Sequence, residues 1–245
     1  MELRNDLQDT LIEVQKQLAE KEKKETKPEL FMTVQKSTDS QKHIEENKIL
    51  ALLQTGSWGE DATLIRELRA WTHYPLLLEA YETLREDELF DSKVHGKGHI
   101  HRTLLFAALI AWKEELEEKD VRQLLRAASY HDVGRTSDIY DIYHGTRSAL
   151  RMEELTGVTG EELIELQAAV AAHSWPDRDM KVVIRSYTPE DFPRTMELTR
   201  LLKDADNLDR VRLGDLNADF LRHESAKALE PFAWRLLERE KACIY

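Results

Sequence analysis

The 245-residue chain contains a single cysteine, Cys243, so an intrachain disulfide is excluded. It has no apolar run approaching the roughly 18 residues that a membrane-spanning helix needs, and no membrane span is expected. Its first residues, MELRNDLQDT, lack the basic-then-apolar pattern of a secretory signal. These absences together lead to the expectation of a cytoplasmic protein. Basic residues are in deficit: 35 Lys and Arg against 47 Asp and Glu leave a formal net charge of -12. Binding to nucleic-acid backbones relies on Lys and Arg to neutralise phosphates, so general nucleic-acid binding is not expected. Alternating strand patterns and internal repeats are also missing, although Lys181-Val182-Val183-Ile184 offers a short extended piece.

What is present suits a globular protein with a polar surface: 41% hydrophobic and 33% charged residues. The length accommodates one substantial domain with an appendage, or two small domains. Leu3, Leu7, Leu11, Val14 and Leu18 recur at spacings of three and four, one apolar stripe on a helix. Such a stripe packs on its own domain or serves a homo-oligomer or partner. A charged stretch with Pro28 follows, so residues 1–48 read as an amphipathic helix and linker. Residues 49–92 read as helices capping what comes next, with a break at Thr55-Gly56-Ser57 and an interruption at Pro75.

Residues 93–245 read as helices joined by short loops, and the class expected is all-α. HIHRTLLFAALIAWKEELEE is a long apolar helix. Asp120 is placed to cap the next, and Thr159 with Glu162 has capping-box spacing. Thr188-Pro189-Glu190-Asp191 offers a cap, a proline and an acidic first turn for a further long helix.

Most of the nine histidines fall at the ends of these helices. His99 begins the first long one, and His131 ends the second with Asp132 beside it. His144 opens the third, His173 closes the fourth, and Asp206 lies near the end of the fifth. Each alone reads as a cap or a surface group. In order, they present imidazole and carboxylate from five helices, a donor set suited to Mn, Fe, Co, Ni or Zn. Asp204 and Asp206 are two apart, about 200° around a helix, so they cannot face one ion together.

The segments H-G-K-G-H-I-H-R (95–102), H-D-V-G-R (131–135), H-G-T-R-S-A (144–149), A-H-S (172–174) and K-D-A-D-N-L-D-R (203–210) resemble the HD superfamily of metal-dependent phosphohydrolases and phosphodiesterases, which includes a few di-iron oxygenases. The resemblance covers about 120 of 245 residues. It implies a helical bundle in which His99, His131, Asp132 and Asp206 are the minimal metal ligands. His144 and His173 would extend the site to two metals, with Asp132 as bridging carboxylate and candidate catalytic residue. The family's spacing selects His99, three before Arg102, over His95 and His101. Its usual Ala-Asp pair selects Asp206, while Asp209 is left to hold a ligand or to pair with an arginine. Branches with paired histidines and a Gly-Tyr-Pro triplet are not matched, since Ser174 follows His173. Nor are the stringent-response hydrolases, which lack a clear counterpart of His144.

The implied function is a metal-dependent phosphohydrolase acting on a small phosphorylated substrate, a nucleotide above all, through one or two divalent transition-metal ions. The alternatives on the same ligand set are a di-iron oxygenase and a non-catalytic metal- or nucleotide-binding module. Arg135, Arg102 and Lys97 are the candidate substrate-binding residues, with Lys203 and Arg210 behind them, because planar guanidinium suits phosphate. Asp138 and Asp141 are placed to orient a ligand histidine.

Overall fold

A computed structural model describes residues 47–242 of the chain. The apolar stripe of residues 3–18, the linker before residue 47 and Cys243 lie outside the described residues, as does the oligomer contact the stripe was expected to serve. The described residues contain no strand, and none of their helices is long and apolar enough to cross a membrane. They are all-α, as the patterning predicts.

Three helices come first: α1 (Lys48–Thr55), α2 (Ala62–Ala70) and α3 (Tyr74–Thr83). The centre of the bundle is α4 (Lys97–Lys113), followed by α5 (Glu118–Tyr130), α6 (His144–Leu150), α7 (Met152–Thr156) and α8 (Gly160–His173). The chain ends through α9 (Asp177–Ser186), α10 (Phe192–Leu208), α11 (Glu224–Lys227) and α12 (Glu230–Ala242).

Helix α4 is central because it is buried on every face from His99 to Ala111. A helix without a polar face has to be surrounded, and α1, α3, α5, α10 and α11 pack around it. Leu104, Leu105, Phe106, Leu109 and Ile110 are fully enclosed there. The second hub is α8, which packs on α5, α6, α7, α9 and α10. The two hubs share α5 and α10 as neighbours, so the ends of four helices are drawn together. The C-terminal α12 is fastened to the start of the described chain: Arg235 and Arg239 both reach the buried carboxylate of Asp61, at 2.5 and 3.2 Å.

Several local expectations are corrected. Lys181–Ile184 is not extended but lies within α9, whose Met180, Val183 and Ile184 are buried at helical spacing. Helix α4 stops at Lys113 because Glu115 adopts a left-handed φ of 54°. Helix α5 has Glu117 at its N-cap position without a side-chain hydrogen bond, and Asp120 sits in the first turn, paired with Arg194 at 2.6 Å. Thr159 occupies the cap of α8 without a side-chain hydrogen bond. Thr188 turns left-handed at φ 56°, and α10 is capped instead by Asp191, which accepts from the Arg194 N–H at 3.0 Å.

Candidate metal centre

His99 enters from the first turn of α4, buried at 2% exposure. At the far end of α5 the chain leaves the helix through His131 and Asp132, also enclosed. Two glycines then allow the remaining segments to close on this point. A Cβ on Gly134 would lie 2.5 Å from the His144 carbonyl and collide with the Ser148 amide. A Cβ on Gly145 would meet Ser174 Oγ at 2.6 Å and the Val170 carbonyl at 2.7 Å. Without side chains at either position, the start of α6 fits between the turn carrying Asp132 and the end of α8. That fit brings His144 to His173.

Six side chains converge as a result. His99 Nε2 lies 3.0 Å from His131 Nε2, 3.3 Å from Asp206 Oδ1 and 3.6 Å from Asp132 Oδ2. On the other side, His144 Nε2 lies 3.0 Å from His173 Nε2 and 3.1 Å from Asp132 Oδ1. Asp132 thus turns one oxygen to each pair of histidines. Ligand atoms about 2.1 Å from a shared ion stand about 3.0 Å apart at right angles and about 3.6 Å apart at 120°, which matches these spacings.

Hydrogen bonding on the far side of each ring sharpens the point. The Nδ1 atoms of His131, His144 and His173 face the carbonyls of Ala128, Asp141 and Val170 at 3.0, 2.5 and 2.5 Å. A carbonyl oxygen can only accept, so each of these Nδ1 atoms carries the proton. His99 Nδ1 faces the Asp209 carboxylate at 2.8 Å. In the neutral rings every Nε2 is then a bare lone pair aimed at its neighbours. Asp132 Oδ1 adds a buried oxygen with no hydrogen-bond partner. Apart from the Arg135 Nε–H that Asp132 Oδ2 accepts, the groups turned towards one another here are acceptors, an arrangement that is unfavourable unless a cation sits among them. The residues present fit a divalent metal, and several subsets could hold one.

The electrostatics agree. Burial, assisted by the Arg212 charge, pushes the His99 imidazole down to about 4. Burial also pushes His173 down to about 4. For Asp132, burial acts upwards but His131, His144 and His173 outweigh it, holding the carboxyl well below its ordinary range. Asp206 is held low in the same way, chiefly by His131 against burial. Burial opposes a charge on His131, yet the Asp132 carboxylate beside it prevails and raises its pKa.

The basic residues divide. Arg135 stays at the site, its Nε 2.8 Å from Asp132 Oδ2, and its Nη atoms have no hydrogen-bond partner among the described residues. Arg102, expected beside substrate, is buried, and its guanidinium is committed to Asp209 and Glu240 at 2.5 Å each. Lys203 is likewise turned inward, donating to the His173 and Trp175 carbonyls at 3.1 and 2.5 Å. Lys97 is half-buried and pairs with Glu86 at 3.1 Å, and Arg210 pairs with Asp215 on the surface. Asp209 turns out to do both things open to it, holding His99 and pairing with Arg102. Asp141 orients His144 through its main chain, whereas Asp138 holds His95 at 2.8 Å. His101 is buried against Glu86 at 3.0 Å. Asp204, fully buried, faces away towards Arg222 and His223.

Sequence reasoning missed Arg147 and Ser148, which fasten the turn after Asp132. Ser148 Oγ accepts from the Gly134 N–H at 2.8 Å, and Arg147 Nε donates to the Gly134 carbonyl at 2.7 Å. Their signal was available, since both lie one turn after His144 on the same helix.

Residues 97–211 match the family model of the HD domain. This stretch is an HD domain. It contains all six convergent residues, and its family consists largely of metal-dependent hydrolases. No curated protein and no solved structure matches the chain. Helix α12 and the segment leading to it lie beyond the HD domain, as do α1 to α3.

Proposed function

We propose that the chain is a metal-dependent phosphohydrolase acting on a small phosphorylated substrate, with a nucleotide as the first class to test. The observation that carries this reading is the buried convergence of four bare imidazole nitrogens on the two oxygens of Asp132. His99, His131, Asp132 and Asp206 would hold one ion, and Asp132, His144 and His173 a second. A divalent ion in such a site would lower the pKa of a coordinated water towards about 7 and polarise a phosphoryl oxygen.

The protein's own groups supply the rest. Asp132, ionised at neutral pH, ties the two histidine pairs together and fixes their separation. Asp206 is the one member of the set with appreciable solvent access, 29% for its side chain, so substrate approaches from its side. Arg135 stands beside Asp132 with its Nη donors unengaged, and a guanidinium fork can bind two phosphoryl oxygens at once. That pairing favours phosphoryl chemistry over oxygen chemistry on the same ligands.

The test is purified protein loaded separately with Mn, Fe(II), Co, Ni or Zn and assayed for phosphate or pyrophosphate release from nucleotides and phosphomonoesters. Hydrolysis with at least one metal, abolished by chelator, is the expected result. Inactivity towards the whole panel with every metal would count against the reading.

A further inference from the structure

The imidazoles of His99 and His173 stand in opposite halves of the centre, and each is backed by its own chain of buried charges. Behind His99, Nδ1 meets Asp209 Oδ2 at 2.8 Å, and Arg102 grips both Asp209 oxygens at 2.5 and 3.1 Å. The remaining arm of Arg102 reaches Glu240 in α12 at 2.5 Å. Asp209 is fully buried, Arg102 is 7% exposed and the Glu240 side chain is 14% exposed. The path from Glu240 to the ligand ring is thus continuous and mostly dry.

Behind His173 the path is different. Lys203 Nζ donates to the carbonyls of His173 and Trp175, fixing the turn that ends α8. Its charge is balanced by Asp177 at 3.1 Å, and Asp177 is held at 2.7 Å by Arg222. Arg222 also reaches Asp204 at 2.9 Å, but Asp204 keeps the Arg222 and His223 amides and the His223 ring in any case. Loss of the Arg222 side chain therefore falls mainly on Asp177 and Lys203.

Glu240 and Arg222 both lie after residue 211, where the HD domain match ends. The two chains share no residue. We infer that each half of the metal centre is positioned by a separate charged brace, Glu240–Arg102–Asp209 behind His99 and Arg222–Asp177–Lys203 behind His173, and that the segment following the HD domain anchors both. The inference rests on the metal-centre reading above. It makes Glu240 and Arg222 positioning residues, remote from any substrate. Groups that orient a ligand histidine typically change metal affinity 10- to 100-fold when removed. Residues one step further out belong at the lower end, about tenfold.

The test isolates the halves. In His173→Ala protein only the His99 half remains complete, and in His99→Ala protein only the His173 half. Mn(II) binding to each full-length variant is measured by equilibrium dialysis with elemental analysis. Glu240→Gln is expected to weaken binding about tenfold in the first background and leave the second unchanged. Arg222→Met, and Lys203→Met as a second variant of the same brace, are expected to do the reverse. The unaffected half reports that the protein is folded. Weakening of both halves alike, or of neither, overturns the braces. Failure of the parent protein to take up any Mn(II) overturns the metal centre itself, a distinct outcome.

Discussion

His144 and His173 point their Nε2 atoms at each other across 3.0 Å, while the Nδ1 of each donates to a main-chain carbonyl on the opposite side of its ring. Neither nitrogen can relieve the contact by a tautomer change without giving up a buried hydrogen bond. The same holds for His131 against His99. The rings are arranged for a cation between them, and the consequences can be measured.

Metal removal comes first. Anything that binds the native state alone stabilises it, by about 2.7 kcal/mol when the free ligand is one hundred times its Kd. Scanning calorimetry with chelator should show a lower Tm than with Mn(II), with full recovery on adding the ion back. An identical Tm in both conditions contradicts this.

Gly145→Ala tests how the halves are brought together. The new methyl group would press on the Val170 carbonyl at 2.7 Å and Ser174 Oγ at 2.6 Å, main chain and a pinned hydroxyl that cannot swing aside. Overpacking of this kind costs about 1–3 kcal/mol. Urea unfolding should show that loss, together with weaker metal uptake.

Arg135→Ala separates binding of metal from turnover. Removing one donor aimed at developing charge typically lowers kcat by about 10²–10³. Activity should fall on that scale while metal content stays at the parent value, and Arg135→Lys should recover only part of the loss. A variant that loses its metal would show that Arg135 supports Asp132 instead.

His223 gives a pH signature away from the centre. Its hydrogen bond to Asp204 outweighs the effect of burial, and with Glu197 it raises the pKa from 6.5 to about 9. A pKa raised on folding means that the folded state binds the proton more tightly. The stabilisation is therefore complete below about 6.5 and is lost as pH rises through about 9. The stability gap between parent and His223→Gln protein should be largest at pH 6 and shrink steadily towards pH 10. A gap independent of pH would contradict the pairing.

The helical class and the six convergent residues were legible because the chemistry is local to the sequence. Each of them falls at a helix end or within its first or last turns, and a glycine stands close to His99, His131, Asp132 and His144. The inward placement of Arg102 was not legible, for a physical reason. Motif spacing puts it beside His99, but the third residue along a helix lies one turn deeper, where Asp209 waits. Its second partner, Glu240, is 138 residues away, and no local pattern announces such a contact. Lys203 is the same case, since only packing of α10 on α8 decides that it faces carbonyls rather than solvent. The short stretch Lys181–Ile184 misled because β-branched residues favour strands, yet its buried positions follow a helical period.

If Asp132 joins two metal-binding halves, its loss should empty both. Elemental analysis of purified protein equilibrated with Mn(II), set beside Asp132→Ala prepared identically, reads this out. Parent protein should bind more than one ion per chain, with a sharp loss from both halves in the variant. Parent protein that binds no ion, or a variant that binds as many as the parent, would contradict it.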